Sequence, residues 1–109
     1  MDKQTVKKIT QTADALGWTV THENSDFEFR KYSPAGQDFN MSVFADSLSE
    51  MKHILYERYN DFDCSEEAYI WLDEFGHGNN GAPYDMKDVY EDMKACQKMI
   101  LELSEAIQC

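Results

Sequence analysis

The stretch Asp85-Met86-Lys87-Asp88-Val89-Tyr90-Glu91-Asp92-Met93-Lys94-Ala95-Cys96-Gln97-Lys98-Met99-Ile100-Leu101-Glu102-Leu103-Ser104-Glu105-Ala106-Ile107 decides how this chain folds. Met86, Val89, Met93, Cys96, Ile100, Leu103 and Ile107 recur at alternating steps of three and four, which sets them on one stripe of an α-helix. Asp85 is expected to cap the first turn, and Asp88, Glu91 and Asp92 suit the positive end of the helix dipole. Tyr84 and Val89 stand at the spacing of a hydrophobic staple. The flanking positions Tyr90, Gln97 and Ser104, and Asp92, Met99 and Ala106, lack the charge pairs of a coiled coil. The helix is therefore expected to pack into its own domain.

Outward from that helix, the chain reads as short periodic sets. A helix from about Asp2 to Leu16 turns Val6, Ile9, Ala13 and Leu16 inward and ends at Gly17, with Trp18 folding back on Ala13. Lys3, Lys7 and Lys8 share its outer side and read as a solvated face. Three strands follow: Trp18, Val20 and His22; then Phe27 and Phe29; then Phe39, Met41, Val43 and Ala45, each set alternating with polar residues. Tyr32 breaks the phase of Phe27 and Phe29, so a bulge or a strand end is expected near Lys31. Ser47-Leu48-Ser49-Glu50 reads as a capping box for a helix with Met51, Ile54, Leu55 and Tyr59 inside. Asp63-Cys64-Ser65-Glu66 opens a shorter helix, expected to use Ala68, Trp71, Leu72 and Phe75 and to stop at Gly76. The fold class is α+β: a three-stranded antiparallel meander packed by the first and last helices, in the order αβββααα. A length of 109 residues suits one domain, 1–109.

Composition narrows the function. The 42% hydrophobic and 13% aromatic content excludes wholesale disorder, and no apolar run approaches the roughly 20 residues of a membrane span. Cys64, Cys96 and Cys109 are odd in number, and Met1-Asp2-Lys3-Gln4 opens no secretory signal, so a reducing cytoplasm is expected. The net charge of −11 is concentrated: residues 46–92 carry thirteen acids against Lys52, Arg58 and Lys87. Such a surface repels nucleic acid and anionic membrane and attracts basic partners or cations. The first five elements share the order of double-stranded-RNA-binding domains, but those hold phosphates with Lys and Arg.

Catalytic and metal readings find weaker support. Asp61-Phe62-Asp63-Cys64-Ser65-Glu66-Glu67 starts like a calcium loop, yet Glu66 stands where Gly is needed and Leu72 where Glu is needed. Helix-capping acids are the better account, with a weak cation site among Asp61, Asp63 and Glu67 as the alternative. His22, His53 and His77 lie far apart and lack zinc spacing. Gly76-His77-Gly78-Asn79-Asn80-Gly81 lacks the Lys-Ser/Thr of a phosphate loop and leads into acids. Acids around Cys64 oppose a thiolate nucleophile there, and Cys109 reads as a free terminal thiol. No cofactor is expected.

Tyr32-Ser33-Pro34-Ala35-Gly36-Gln37-Asp38-Phe39, Trp71-Leu72-Asp73 and Gly76-His77-Gly78-Asn79-Asn80-Gly81-Ala82-Pro83-Tyr84-Asp85-Met86-Lys87-Asp88-Val89 resemble a group of small acidic proteins of gut bacteria and their mobile elements. The likeness spans most of the chain from Trp18 onward and implies no activity or site residues. In acidity and size alone, the chain is also similar to antirestriction proteins that mimic DNA.

The expected function is an acidic protein-binding module, in its sharpest form a DNA mimic that blocks a nucleic-acid-binding partner. Its interaction surface is expected to comprise Asp61, Asp63, Glu66, Glu67, Asp73, Glu74, Asp85, Asp88, Glu91 and Asp92, all near helix ends. Tyr56, Tyr59, Tyr69 and Tyr90 would suit such an interface if exposed. The expected partner is a basic protein, with no direct nucleic acid and no membrane, and the oligomeric state is left open. Two alternatives come from other classes. One is a small metal-dependent or acid-base enzyme, with Asp73, Glu74, His77 and Asp85 converging at the glycine loop. The other is a structural or oligomeric protein with a solvated acidic face.

Overall fold

The computed structural model describes residues 1–79 and 81–108; Asn80 and Cys109, the latter read above as a free thiol, lie outside the described residues. The elements are α1 (Lys3–Ala15), β1 (Thr19–Glu23), β2 (Asp26–Tyr32), β3 (Asp38–Phe44), α2 (Leu48–Asp61), α3 (Cys64–Tyr69) and α4 (Met86–Ala106). The order is αβββααα, and the three strands form an antiparallel sheet in the order β1-β2-β3.

Local chemistry explains most of the boundaries. Asp2 accepts from the Thr5 amide at 2.8 Å to start α1, which holds its carboxyl below the usual range. At the other end of α1 the Trp18 amide donates to the Ala13 carbonyl and the Gly17 amide to that of Asp14. Gly17 takes the left-handed φ of 89° that this paired closure needs. The Lys31 ammonium then donates to the Leu16 carbonyl at 2.7 Å and lies over the Trp18 ring. Ser47 caps α2 through the Glu50 amide, and Asp63 caps α3 through the amides of Ser65 and Glu66.

In the sheet, Phe27 pairs with His22 and Val43, and Phe29 with Val20 and Met41, which puts them on one face. Phe27, Phe29, Met41 and Val43 are covered there, while on β1 Val20 is half-buried and His22, expected inside, is exposed. Thr21, Glu28 and Ser42 line up on the opposite face, which is exposed. The pairing of β2 with β3 continues without interruption to Tyr32 and Asp38. The change of phase at Tyr32 is therefore a strand end and not a bulge. The segment after it, 33–37, closes through Ser33 and Gln37 and turns at Gly36, whose φ is 93°.

One buried cluster joins the covered face to the helices. Ile9 and Ala13 come from α1, Met51 and Leu55 from α2, and Val89, Met93, Cys96, Ile100 and Leu103 from α4, continued by Ile107. Cover is not left to the first and last helices alone: α2 also lies against β3, and it packs along α4, as does α3. Between α2 and α4 the Lys52 ammonium donates to the carbonyls of Ser104 and Ile107, at 2.7 and 3.2 Å. It thereby satisfies the negative end of α4. Gln97 serves the α2–α3 junction in the same way, donating to the Tyr59 carbonyl and accepting from the Cys64 thiol.

Three local expectations are corrected. The short third helix ends at Tyr69 and does not reach Gly76, because the Asp73 carboxylate accepts from the amides of Phe75 and His77 and folds the chain into a turn. Asp85 makes no side-chain cap at the start of α4; its carbonyl accepts from Asp88 and Val89. Met86 begins the apolar stripe in sequence but is exposed, as is Tyr84, whose ring stacks on His77 with centroids 4.1 Å apart.

Candidate protein-interaction surface

The segment that joins α3 to α4 is built largely by its own backbone. The Asn79 amide donates to the Trp71 carbonyl at 2.8 Å and the Asp73 amide to that of His77 at 2.7 Å, making a small hairpin. Leu72 bridges Gly78, and the Gly78 amide donates to the Tyr84 carbonyl, tying the hairpin to the approach to α4. A Cβ on Gly78 would fall 1.6 Å from the Pro83 carbonyl oxygen, so only glycine fits where these two arms meet. Trp71, Leu72 and Ala82 turn inward and pack on the core.

The same segment turns apolar side chains outward. Tyr69 and Ile70 at the end of α3, Phe75 in the hairpin, and Tyr84, Met86 and Tyr90 around the start of α4 are all exposed, Tyr69 and Phe75 to 76%. Of the tyrosines expected to suit an interface, Tyr56, Tyr69 and Tyr90 are exposed and Tyr59 is half-buried. Phe75 and Met86 were legible only as core residues, and Ile70 and Tyr84 as no part of a surface. The single sequence signal for Phe75, Tyr84 and Met86 is position, beside turn-forming Gly76, Pro83 and Asp85; Ile70 has none.

The expected acids divide. Asp61, Asp63, Glu66, Asp73, Glu74, Asp85, Asp88 and Glu91 are exposed, and Glu67 is half-buried. Asp63 and Asp73 already accept backbone hydrogen bonds, and the His77 and Phe75 amides hold the Asp73 carboxyl below the usual range. Asp92 is a correction. It is 5% exposed and accepts from the Ser33 hydroxyl and the Ala35 amide, pinning the β2–β3 connection to α4. It belongs to the interior and not to the surface.

Several bases are committed elsewhere. Lys31 and Lys52 bind helix carbonyls, Arg58 donates to the Ser42 carbonyl, and Arg30 pairs with Asp38 at 3.0 Å. Lys94 lies near both Glu91 and the Tyr90 ring.

Among the described residues no three His, Cys, Asp or Glu side chains are grouped to hold a metal ion. Asp73, His77 and Asp85 therefore do not assemble such a group, nor do Asp61, Asp63 and Glu67. Burial pushes the Cys64 thiol up and, with Asp92 and Glu67 adding to it, raises Cys96 to about 12. Both thiols are thus poor nucleophiles. Among the described residues no helix is long and apolar enough to cross a membrane.

No protein-family model, no curated protein and no solved structure matches the chain.

Proposed function

We propose that the protein is an acidic protein-binding module whose contact surface is the end of the molecule formed by α3, the loop after it and the first turns of α4. One observation carries this reading: of the nine exposed large hydrophobic side chains among the described residues, six (Tyr69, Ile70, Phe75, Tyr84, Met86 and Tyr90) lie in this acidic stretch, Tyr32, Phe44 and Tyr56 being the others. Solvation alone accounts for acids, and scattered apolar side chains are ordinary. Gathered apolar side chains rimmed by charge mark interaction sites.

This reading does not require imitation of DNA. A phosphate mimic needs a row of free carboxylates, whereas here Asp92 is buried and Asp63 and Asp73 face backbone amides.

The test is charge reversal. Glu66, Glu74, Asp88 and Glu91 are replaced together by Lys, and circular dichroism checks the fold. Wild-type protein should recover a specific basic protein from its native host at moderate salt, and the reversed protein should not. Recovery of the same protein by both, or of none by the wild type, rejects the reading.

A further inference from the structure

The occupant of this surface follows from what the surface excludes. Tyr69, Ile70, Phe75, Tyr84, Met86 and Tyr90 offer apolar contact area, and the exposed Glu74, Asp85 and Asp88 stand among them in sequence, on the loop and the first turn of α4. A second copy of the chain would bring like carboxylates together, and like charges oppose association. A nucleic acid would add phosphates to the same repulsion. A purely polar polycation would leave the aromatic rings unused. The display is also preorganised, since the loop's backbone bonds, the Gly78–Pro83 approach and the inward Trp71 hold Phe75 and Tyr84 in place. Little ordering is then required on binding.

Resting on the protein-binding reading, we propose that the α3–α4 end docks a basic amphipathic segment of another protein, with apolar side chains and Lys or Arg on one face. The apolar side chains pack against Phe75, Tyr69 and Tyr84, and the cations face the surrounding carboxylates. Aromatic anchors supply the affinity and the charges steer the approach.

Three labelled peptides test this against the full chain: an amphipathic helix of Leu and Lys, the same composition scrambled to destroy the face, and oligolysine of equal charge. The amphipathic peptide should bind at least about tenfold more tightly than the other two, and the gap should widen as salt rises to about 0.3 M, where exposed charge is screened. The double variant Tyr69→Ser, Phe75→Ser should lose about thirtyfold for the amphipathic peptide, as expected of hot-spot anchors, and nothing for oligolysine. Equal affinity for all three peptides, unchanged in the variant, overturns this inference and leaves the acidic module standing. Binding of none of them removes both. Sedimentation of a wild-type dimer that the double variant abolishes, or tight binding of duplex DNA, replaces the proposed occupant and overturns the inference.

Discussion

The two ends of α4 carry apolar residues at the same helical spacing and meet different surroundings. Toward its C-terminus Ile100, Leu103 and Ile107 are buried, Ser104 donates its hydroxyl to the Lys52 carbonyl, and Lys52 satisfies the last carbonyls. At its N-terminus Met86 and Tyr84 are exposed and the Asp85 side chain caps nothing. The difference lies in what is laid across each end. The long helix α2 runs against α4, whereas α3 stops at Tyr69 and the chain after it closes on its own backbone. A stripe of apolar residues is buried only as far as another element covers it.

The largest expected effect breaks the covered end. Ile100→Ala should cost about 2–5 kcal/mol in urea unfolding, the usual range for a buried aliphatic truncation. A variant that unfolds like the wild type but no longer associates would mean that this face is an interface and not a core.

Asp92→Ala should cost about 1–3 kcal/mol, because the Ser33 hydroxyl and the Ala35 amide lose their acceptor in a buried site. Its signature is local: amide exchange should rise across residues 33–37 before it rises in β2. An Asp92→Ala protein as stable as the wild type would return this carboxylate to the surface.

Alkaline titration sharpens the comparison from the middle of the helix. Cys96 has its thiol raised from 9.0 to about 12 in the folded chain. The folded state holds that proton longer, so its contribution is complete below pH 9.0 and declines as pH rises toward about 12. By pH 9.5 the loss should be about 1 kcal/mol, measured as the difference in pH slope between wild type and Cys96→Ala. Parallel slopes would show that Cys96 reaches solvent.

The smallest effect belongs to the uncovered end. Phe75→Ser should leave stability within about 0.5 kcal/mol, as for other exposed positions. A larger loss would place Phe75 in the core after all, as its sequence position first implied.

Much of the fold was legible from residues alone. Periodicity identified α4, the paired closure at Gly17 and Trp18 ended α1, and alternation set the two faces of the meander. Each of these depends on neighbours along the chain, where backbone geometry fixes which side chains share a face. The site was less legible. The ten acids were visible, but not that Asp92 turns inward, because its partners Ser33 and Ala35 lie 59 and 57 residues away in sequence.

The sequence by itself therefore determined the element order, most helix starts, the acidic segment and the apolar stripe of the last helix. Only the tertiary structure decided which apolar residues that stripe leaves uncovered, and that Phe75 and Met86 face solvent while Trp71 faces the core. It also decided that Lys31 and Lys52 serve helix ends rather than neutralise the acidic surface. The physical reason is range. Capping, turn chemistry and periodicity act within a few residues, while burial is set by whichever distant element crosses a surface and excludes water from it.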